Sequence, residues 1–354
     1  MEKLLSICIP TYNRVELVIQ LLDEIFHQLQ DIQDDSIEVI VSVNPSETDK
    51  GEIIRKRFKN FNYVLIINET NIGLVNNLKQ TIKLSSGKMI WIIGDDDIIV
   101  PGLIKRVAFS LKEHPDISWI YLNSAGLDGD AASKSTKISD PLASKISSNG
   151  YYSNAKELLL KIGPVLNGKL LFSSSNIYLR EAALKMIEDN VAEKKEEPFD
   201  IYFQLTATMV SSLCGGAYIF NELCIVQGAA VSWSNTSYYV HVHAYNRAIL
   251  LSSQYGFTKN ETKKFVRRRM TNAALYIWVL MVRKTIKKPK EGLKDLKIYF
   301  SNFPFLTIIM ILFMPIWIWF YLIRGIIKKH IRKKRLKKLQ KNKDLLPNCV
   351  KERI

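Results

Sequence analysis

Residues 89–101 read Met-Ile-Trp-Ile-Ile-Gly-Asp-Asp-Asp-Ile-Ile-Val-Pro, an apolar run that stops at three consecutive carboxylates, Asp95, Asp96 and Asp97. Its length and its β-branched and aromatic content are those of a buried strand. Three adjacent acids at the end of such a strand repel one another, and a cation offsets that repulsion. Oxygen ligands of this kind suit Mg2+ or Mn2+, which keep open positions that phosphate oxygens fill. A solvated acidic turn would carry the same residues. The segments around the triplet decide between the two.

Upstream, short β-rich runs alternate with amphipathic stretches, which predicts an α/β domain with a mostly parallel sheet and crossover helices. Strands are expected at Leu4–Ile9, Glu38–Val43, Tyr63–Ile67 and Met89–Ile93, and helices at Val15–Gln30, Lys50–Lys59 and Leu74–Leu84. Open sheets of this type bind ligands beyond the carboxyl ends of their strands. Pro10-Thr11-Tyr12-Asn13-Arg14, Asn44-Pro45-Ser46 and Asp95–Asp97 all fall there. Three polar clusters on one sheet edge favour a site over three unrelated turns. Downstream, the Ser-, Ala-, Gly- and Asp-rich stretch 124–149 reads as a loop or flexible cover. Ala155–Ile162 and Phe199–Ser211 read as helices, Leu170–Leu179 and Ala217–Val226 as extended, and Val240–Lys284 as helical throughout.

The formal net charge of +16 over 354 residues suggests a nucleic-acid partner until it is located. Arg324 to Ile354 holds thirteen Lys/Arg against Asp344 and Glu352, which accounts for +11 of it. The rest is mildly basic, with no nucleic-acid module, so no nucleic acid is expected. Cys8, Cys214, Cys224 and Cys349 show neither a CxxC pairing nor metal-ligand spacing with the five histidines, which fits a reducing compartment. The opening Met-Glu-Lys-Leu-Leu-Ser-Ile-Cys-Ile-Pro has too short an apolar run for a signal peptide, so this domain is expected to remain cytoplasmic.

Ser-Ile-Cys-Ile-Pro-Thr-Tyr-Asn-Arg (6–14), Val-Ile-Val-Ser-Val-Asn-Pro-Ser (39–46), Asn-Ile-Gly-Leu-Val-Asn-Asn (71–77) and Ser-Gly-Lys-Met-Ile-Trp-Ile-Ile-Gly-Asp-Asp-Asp (86–97) occur in that order. Together they resemble family 2 glycosyltransferases of the GT-A fold, over roughly residues 3–230. The flavour is that of bacterial O-antigen or capsule enzymes, abequosyltransferase-like members among them. The resemblance implies a nucleotide-sugar donor, a divalent cation and inversion by direct displacement. It implies that Asp96 and Asp97 hold the metal and that Asp95 reaches the ribose. Pro10, Thr11, Tyr12 and Arg14 match the first nucleotide loop, although Thr11 or Asn13 could equally serve as a helix N-cap. Asn71, Gly73 and Asn77 match a donor loop that lacks the family's usual Arg, here Asn76. Asn44 stands where many members carry an Asp that accepts from uracil, and Val43 replaces the neighbouring acid. An amide both donates and accepts, so guanine, cytosine and thymine donors stay open. Displacement needs a base for the acceptor hydroxyl, and the family places a carboxylate near a helix start about a hundred residues on. Asp200 fits that role, with Glu197 and Glu196 behind it, while an acidic helix start would look the same. Ser173-Ser174-Ser175-Asn176 is expected on the acceptor side.

Ile298 to Ile323 runs 26 residues without a charge, broken at Pro315 and followed at once by the basic tail. A straight span would separate that tail from a cytoplasmic catalytic domain. A re-entrant or interfacial anchor, with tail lysines and arginines on anionic lipid, keeps both on one face and is favoured, with a span as the alternative. The expected organisation is a GT-A domain (1–235), a helical C-terminal region (236–297), a membrane anchor (298–323) and a basic tail (324–354). This places the chain at the cytoplasmic face of the bacterial inner membrane, acting on a lipid-linked saccharide. The competing functions are a catalytically inactive GT-A scaffold and a basic nucleic-acid-binding protein.

Overall fold

The computed structural model describes residues 3–45, 50–128, 131–133, 149–166, 170–192, 203–228 and 245–267, together with residues 301, 304, 305 and 308. The chain opens β1 (Leu5–Tyr12), α1 (Val15–Ile32), β2 (Ile37–Asn44), α2 (Lys50–Arg57), β3 (Val64–Ile67), α3 (Gly73–Leu84), β4 (Met89–Ile92). It continues β5 (Ile98–Ile99), α4 (Leu103–Glu113), β6 (Ile117–Asp128), β7 (Ala131–Ser133), β8 (Gly150–Tyr152), α5 (Ala155–Leu166). Then follow β9 (Asn176–Leu179), α6 (Arg180–Ala192), α7 (Phe203–Ser211), β10 (Gly216–Gln227) and α8 (Tyr245–Leu251).

One sheet collects the strands in the order β3-β2-β1-β4-β9-β6-β10-β5, with β7 added to β6 and β8 to β10. The first four are mutually parallel, and β9 runs antiparallel to both β4 and β6. Period-two alternation explains their nearly continuous apolar sequences, because both faces are covered. Leu5, Ile7 and Ile9 pack with Val18, Leu22, Ile25 and Phe26 of α1, whereas Cys8 packs with Leu78 and Ile82 of α3 on the other face.

A third cluster joins Trp119 and Tyr121 of β6, Leu159 of α5, Met209 of α7 and Ile219 of β10 to Tyr245, Ile249, Phe257 and Phe265. The core therefore continues past the expected domain boundary at residue 235. Within the stretch 240–284, expected to be helical throughout, α8 gives way to a 3-10 turn at residues 252–255 that ends at Gly256. Gly256 has φ 113°, a left-handed conformation that a glycine supplies without strain. The expected loop from residue 124 begins as strand, since β6 runs to Asp128 and pairs with β7. The expected extended run at 170–179 is a strand in its last four residues alone, after a 3-10 turn at Ser173–Ser175.

Among the described residues no helix is long and apolar enough to cross a membrane. All but a few residues of the apolar run 298–323, and the whole basic tail, lie outside the described residues.

Candidate active site

The parallel strands bring the expected clusters to one edge. Thr11 and Tyr12 end β1, Asn44 ends β2, and the triplet follows β4. Two antiparallel partners complete the cradle around the triplet. β4 pairs with β9 through Trp91↔Ile177, and extending that register sets Ser174 opposite Gly94. β5 pairs with β10 through Val226↔Ile98, and the same extension sets Gly228 opposite Asp96.

The three acids have three different environments. Asp95 is buried, and its Oδ2 accepts from Thr11 Oγ1 at 2.8 Å while its Oδ1 meets Arg14 Nη1 at 2.9 Å. Burial raises its pKa, and the Arg14 charge opposes that rise. Asp97 is 3% exposed. Its Oδ2 accepts from Ser174 Oγ at 2.5 Å and from the Gly94 N–H at 3.2 Å, and its Oδ1 accepts from the Gly228 N–H at 3.1 Å. Burial lifts its pKa to about 7 against those donors, and the Asp96 charge adds to the rise. Asp96 has 17% of its side chain exposed, with the Arg14 guanidinium 3.5 Å away.

The sequence reading paired Asp97 with Asp96 as an ion ligand. In the structure Asp97 is buried and accepts three bonds from protein donors, so the more open carboxylate of the two is Asp96. Among the described residues no group of three or more His, Cys, Asp or Glu is arranged to hold a metal. A single open carboxylate nonetheless fits a hard divalent ion that draws its other ligands from water and phosphate.

Asn44 was expected to face the base. It is 2% exposed, and its Oδ1 accepts from Asn68 Nδ2 at 3.0 Å and from the Ile72 N–H at 3.4 Å. Asn77 is buried as well and donates to the carbonyls of Thr11 and Ser42. Asn71 Oδ1 accepts from the Gly73 N–H at 3.0 Å, fixing the start of α3. Neither Thr11 nor Asn13 caps α1: the N-cap is Arg14, which makes no side-chain cap bond, and Asn13 sits at φ 58°. Pro10 is half-buried within β1, and Tyr12 is 48% exposed at its end.

Ser173–Asn176 was expected on the acceptor side. Ser174, Ser175 and Asn176 are instead buried: Ser174 donates to Asp97, Ser175 donates to Ser124, and Asn176 Oδ1 accepts from the Trp119 ring N–H. Asp200, Glu197 and Glu196 lie outside the described residues. The sequence reading missed Asn68, Gly228 and the link from Ser174 to Asp97. A Cβ on Gly228 would stand 2.4 Å from the Asp96 carbonyl oxygen and 2.5 Å from its carboxylate carbon, so only a glycine lets the chain lie against Asp96.

The model of the family described as "Glycosyl transferase family 2" matches residues 6–165. Those residues belong to glycosyl transferase family 2. Abequosyltransferase RfbV of Salmonella typhimurium is 32% identical over 127 residues, 35% of this chain and 38% of that relative. Across the curated relatives it matches, the chain spans 38% to 55% of their length. S. aureus TarS 1–349 superposes with a TM-score of 0.57 at 16% identity, covering 86% of this chain and 82% of that one. The Pyrobaculum calidifontis mannosyltransferase PcManGT, solved with GDP-Man and Mn2+, gives 0.52 at 12% identity, covering 93% and 87%. These likenesses carry the GT-A-like fold of the family 2 domain.

Proposed function

We propose that this chain transfers a sugar, with inversion, from a nucleoside-diphosphate donor to a lipid-linked saccharide acceptor in bacterial surface-polysaccharide synthesis. The observation that carries the reading is Asp96, an open carboxylate between two buried acids that are hydrogen-bonded within the protein. Asp96 would hold Mg2+ or Mn2+, which when bound offsets charge on the departing diphosphate. Arg14 puts a second positive charge on the same side, and its bond to Asp95 keeps it there. Asp97, anchored to Ser174 and Gly228, sets the direction of the loop that presents Asp96. In this reading Thr11, the half-exposed ring of Tyr12 and the Asn71–Gly73 turn would hold the nucleoside. TarS has been solved with UDP-GlcNAc and PcManGT with GDP-Man and Mn2+, which supports a nucleotide-sugar donor and a divalent ion here.

Asp200, with Glu197 as second candidate, takes the acceptor proton in this reading, on the strength of the family resemblance. The partial match to an abequosyltransferase supports a polysaccharide acceptor. The apolar run 298–323 and the basic tail support an anchor on the cytoplasmic face of the membrane, and Phe305 and Ile308 within that run are exposed. The test is thermal shift and donor hydrolysis by the detergent-solubilised chain against UDP-, GDP-, CDP- and dTDP-sugars, with and without Mn2+. Metal-dependent stabilisation by one nucleotide class is expected. No response from folded protein would replace this reading with an inactive scaffold.

A further inference from the structure

Asn44, Asn68 and Asn77 meet at the carboxyl ends of β1, β2 and β3, and their amides form one connected set. Backbone groups fix its direction. Asn77 Nδ2 donates to the Thr11 carbonyl at 3.2 Å and to the Ser42 carbonyl at 3.1 Å, so Asn77 must turn its Oδ1 toward Asn68. Asn44 Oδ1 accepts from the Ile72 N–H, and Asn44 Nδ2 donates to the Gly73 carbonyl at 3.4 Å, so Asn44 also offers Asn68 an acceptor. Asn68 therefore has to point its NH2 inward, toward Asn44 Oδ1 at 3.0 Å, Asn77 Oδ1 at 3.3 Å and Ser42 Oγ at 3.3 Å. Flipping this amide would set oxygen against oxygen twice. Its own Oδ1 has no protein partner among the described residues, and the residue is half-buried.

We propose that Asn68 is the base-selecting residue, its Oδ1 a fixed acceptor for a ring N–H of the donor's base. The inference rests on the donor-site reading above. Asn44, the position first expected to read the base, spends both its amide groups on the 71–73 turn and acts as a brace. An acceptor that cannot rotate into a donor favours bases carrying a ring N–H beside a carbonyl, namely uracil, thymine and guanine. Held in the same register, cytosine and adenine present a ring lone pair there, which sets two acceptors against each other, and they must shift in the pocket to offer their exocyclic amine instead.

The test is equilibrium binding of UDP, dTDP, GDP, CDP and ADP, with Mn2+, to the full-length protein and to its Asn68→Ala and Asn44→Ala variants. The wild type is expected to bind its best ring-N–H nucleotide about tenfold or more tightly than CDP and ADP. Asn68→Ala should bring that ratio to within about threefold, whereas Asn44→Ala should weaken all five and keep the ratio. A wild type that prefers CDP or ADP overturns the inference, and this holds even where Asn68→Ala does not fold. An unchanged ratio in folded Asn68→Ala overturns it equally. Binding of none of the five by folded protein overturns the donor-site reading and takes this inference with it.

Discussion

Two carboxylates on the two edges of the same parallel sheet are treated in opposite ways. Glu38, at the amino end of β2, accepts from Ser6 Oγ at 2.5 Å, the Ser86 N–H at 2.6 Å, Ser86 Oγ at 2.9 Å and the Gly87 N–H at 3.1 Å. Burial pushes against its charge, yet the bonds from Ser6, Ser86 and Gly87 prevail and hold its pKa below the usual value. Asp97, beyond the carboxyl end of β4, receives three such bonds against four and rises to about 7. Beyond that one donor, the two differ in burial, nearly complete at Asp97 and partial at Glu38, and in the adjacent Asp96 charge. One edge is built to be content as a carboxylate, and the other holds charge that it has not fully neutralised, as functional sites do.

The largest test of this contrast is activity. Asp96→Ala should lower sugar transfer by about a thousandfold, the scale of removing one electrostatic stabiliser, while Glu38→Gln should leave the turnover of folded protein unchanged. Equal losses would erase the distinction between the edges. Stability against pH sharpens it next. A folded-state pKa of about 7 for Asp97 means that the native state holds the proton more tightly than the unfolded chain, whose value is 3.8. The favourable contribution is then complete below 3.8 and is lost as pH rises through 7, by at most about 4 kcal/mol. Melting curves in metal-free buffer should show Asp97→Asn removing this decline. The slope is the readout, because the variant also alters the bond from Gly228. A gentler change is Gly228→Ala, whose methyl group must displace Asp96 at a strain of about 1–3 kcal/mol. Mn2+ affinity and transfer should both fall, and the melting temperature should drop by roughly 2–4 °C for each kcal/mol of that strain. Unchanged Mn2+ affinity would detach Gly228 from the site.

The same contrast shows what a sequence can reveal. β1, β2 and β3 are each followed by a crossover helix, and from β1 to β4 the expected elements match within three residues at each end. Asp95–Asp97 announced themselves through composition. The partners that make the three acids unequal come from far away: Ser174 through an antiparallel strand inserted beside β4, and Gly228 through the end of β10. No local periodicity encodes that register, which is why a serine cluster read as an acceptor surface proved to be a buried support. Asn68 was invisible for a related reason. A lone asparagine after a strand looks like turn chemistry until Asn44 and Asn77 are placed beside it.

The smallest effect concerns Glu38, and its sign is opposite to that of Asp97. A lowered folded-state pKa contributes stability that is present above the unfolded value of 4.5 and lost as pH falls through the folded one. Glu38→Gln should therefore cost about 1–2 kcal/mol near neutral pH, after allowance for solvent screening of a half-buried group. The wild type and this variant should begin to converge in melting temperature below 4.5 and meet once pH has fallen through the lowered folded-state value, while the wild type and Asp97→Asn should diverge in the other direction toward neutrality. If the two difference curves ran parallel, the adjacent Asp96 charge and the depth of burial would not be what distinguishes the edges, and the carboxyl edge would lose its claim to be the unneutralised one.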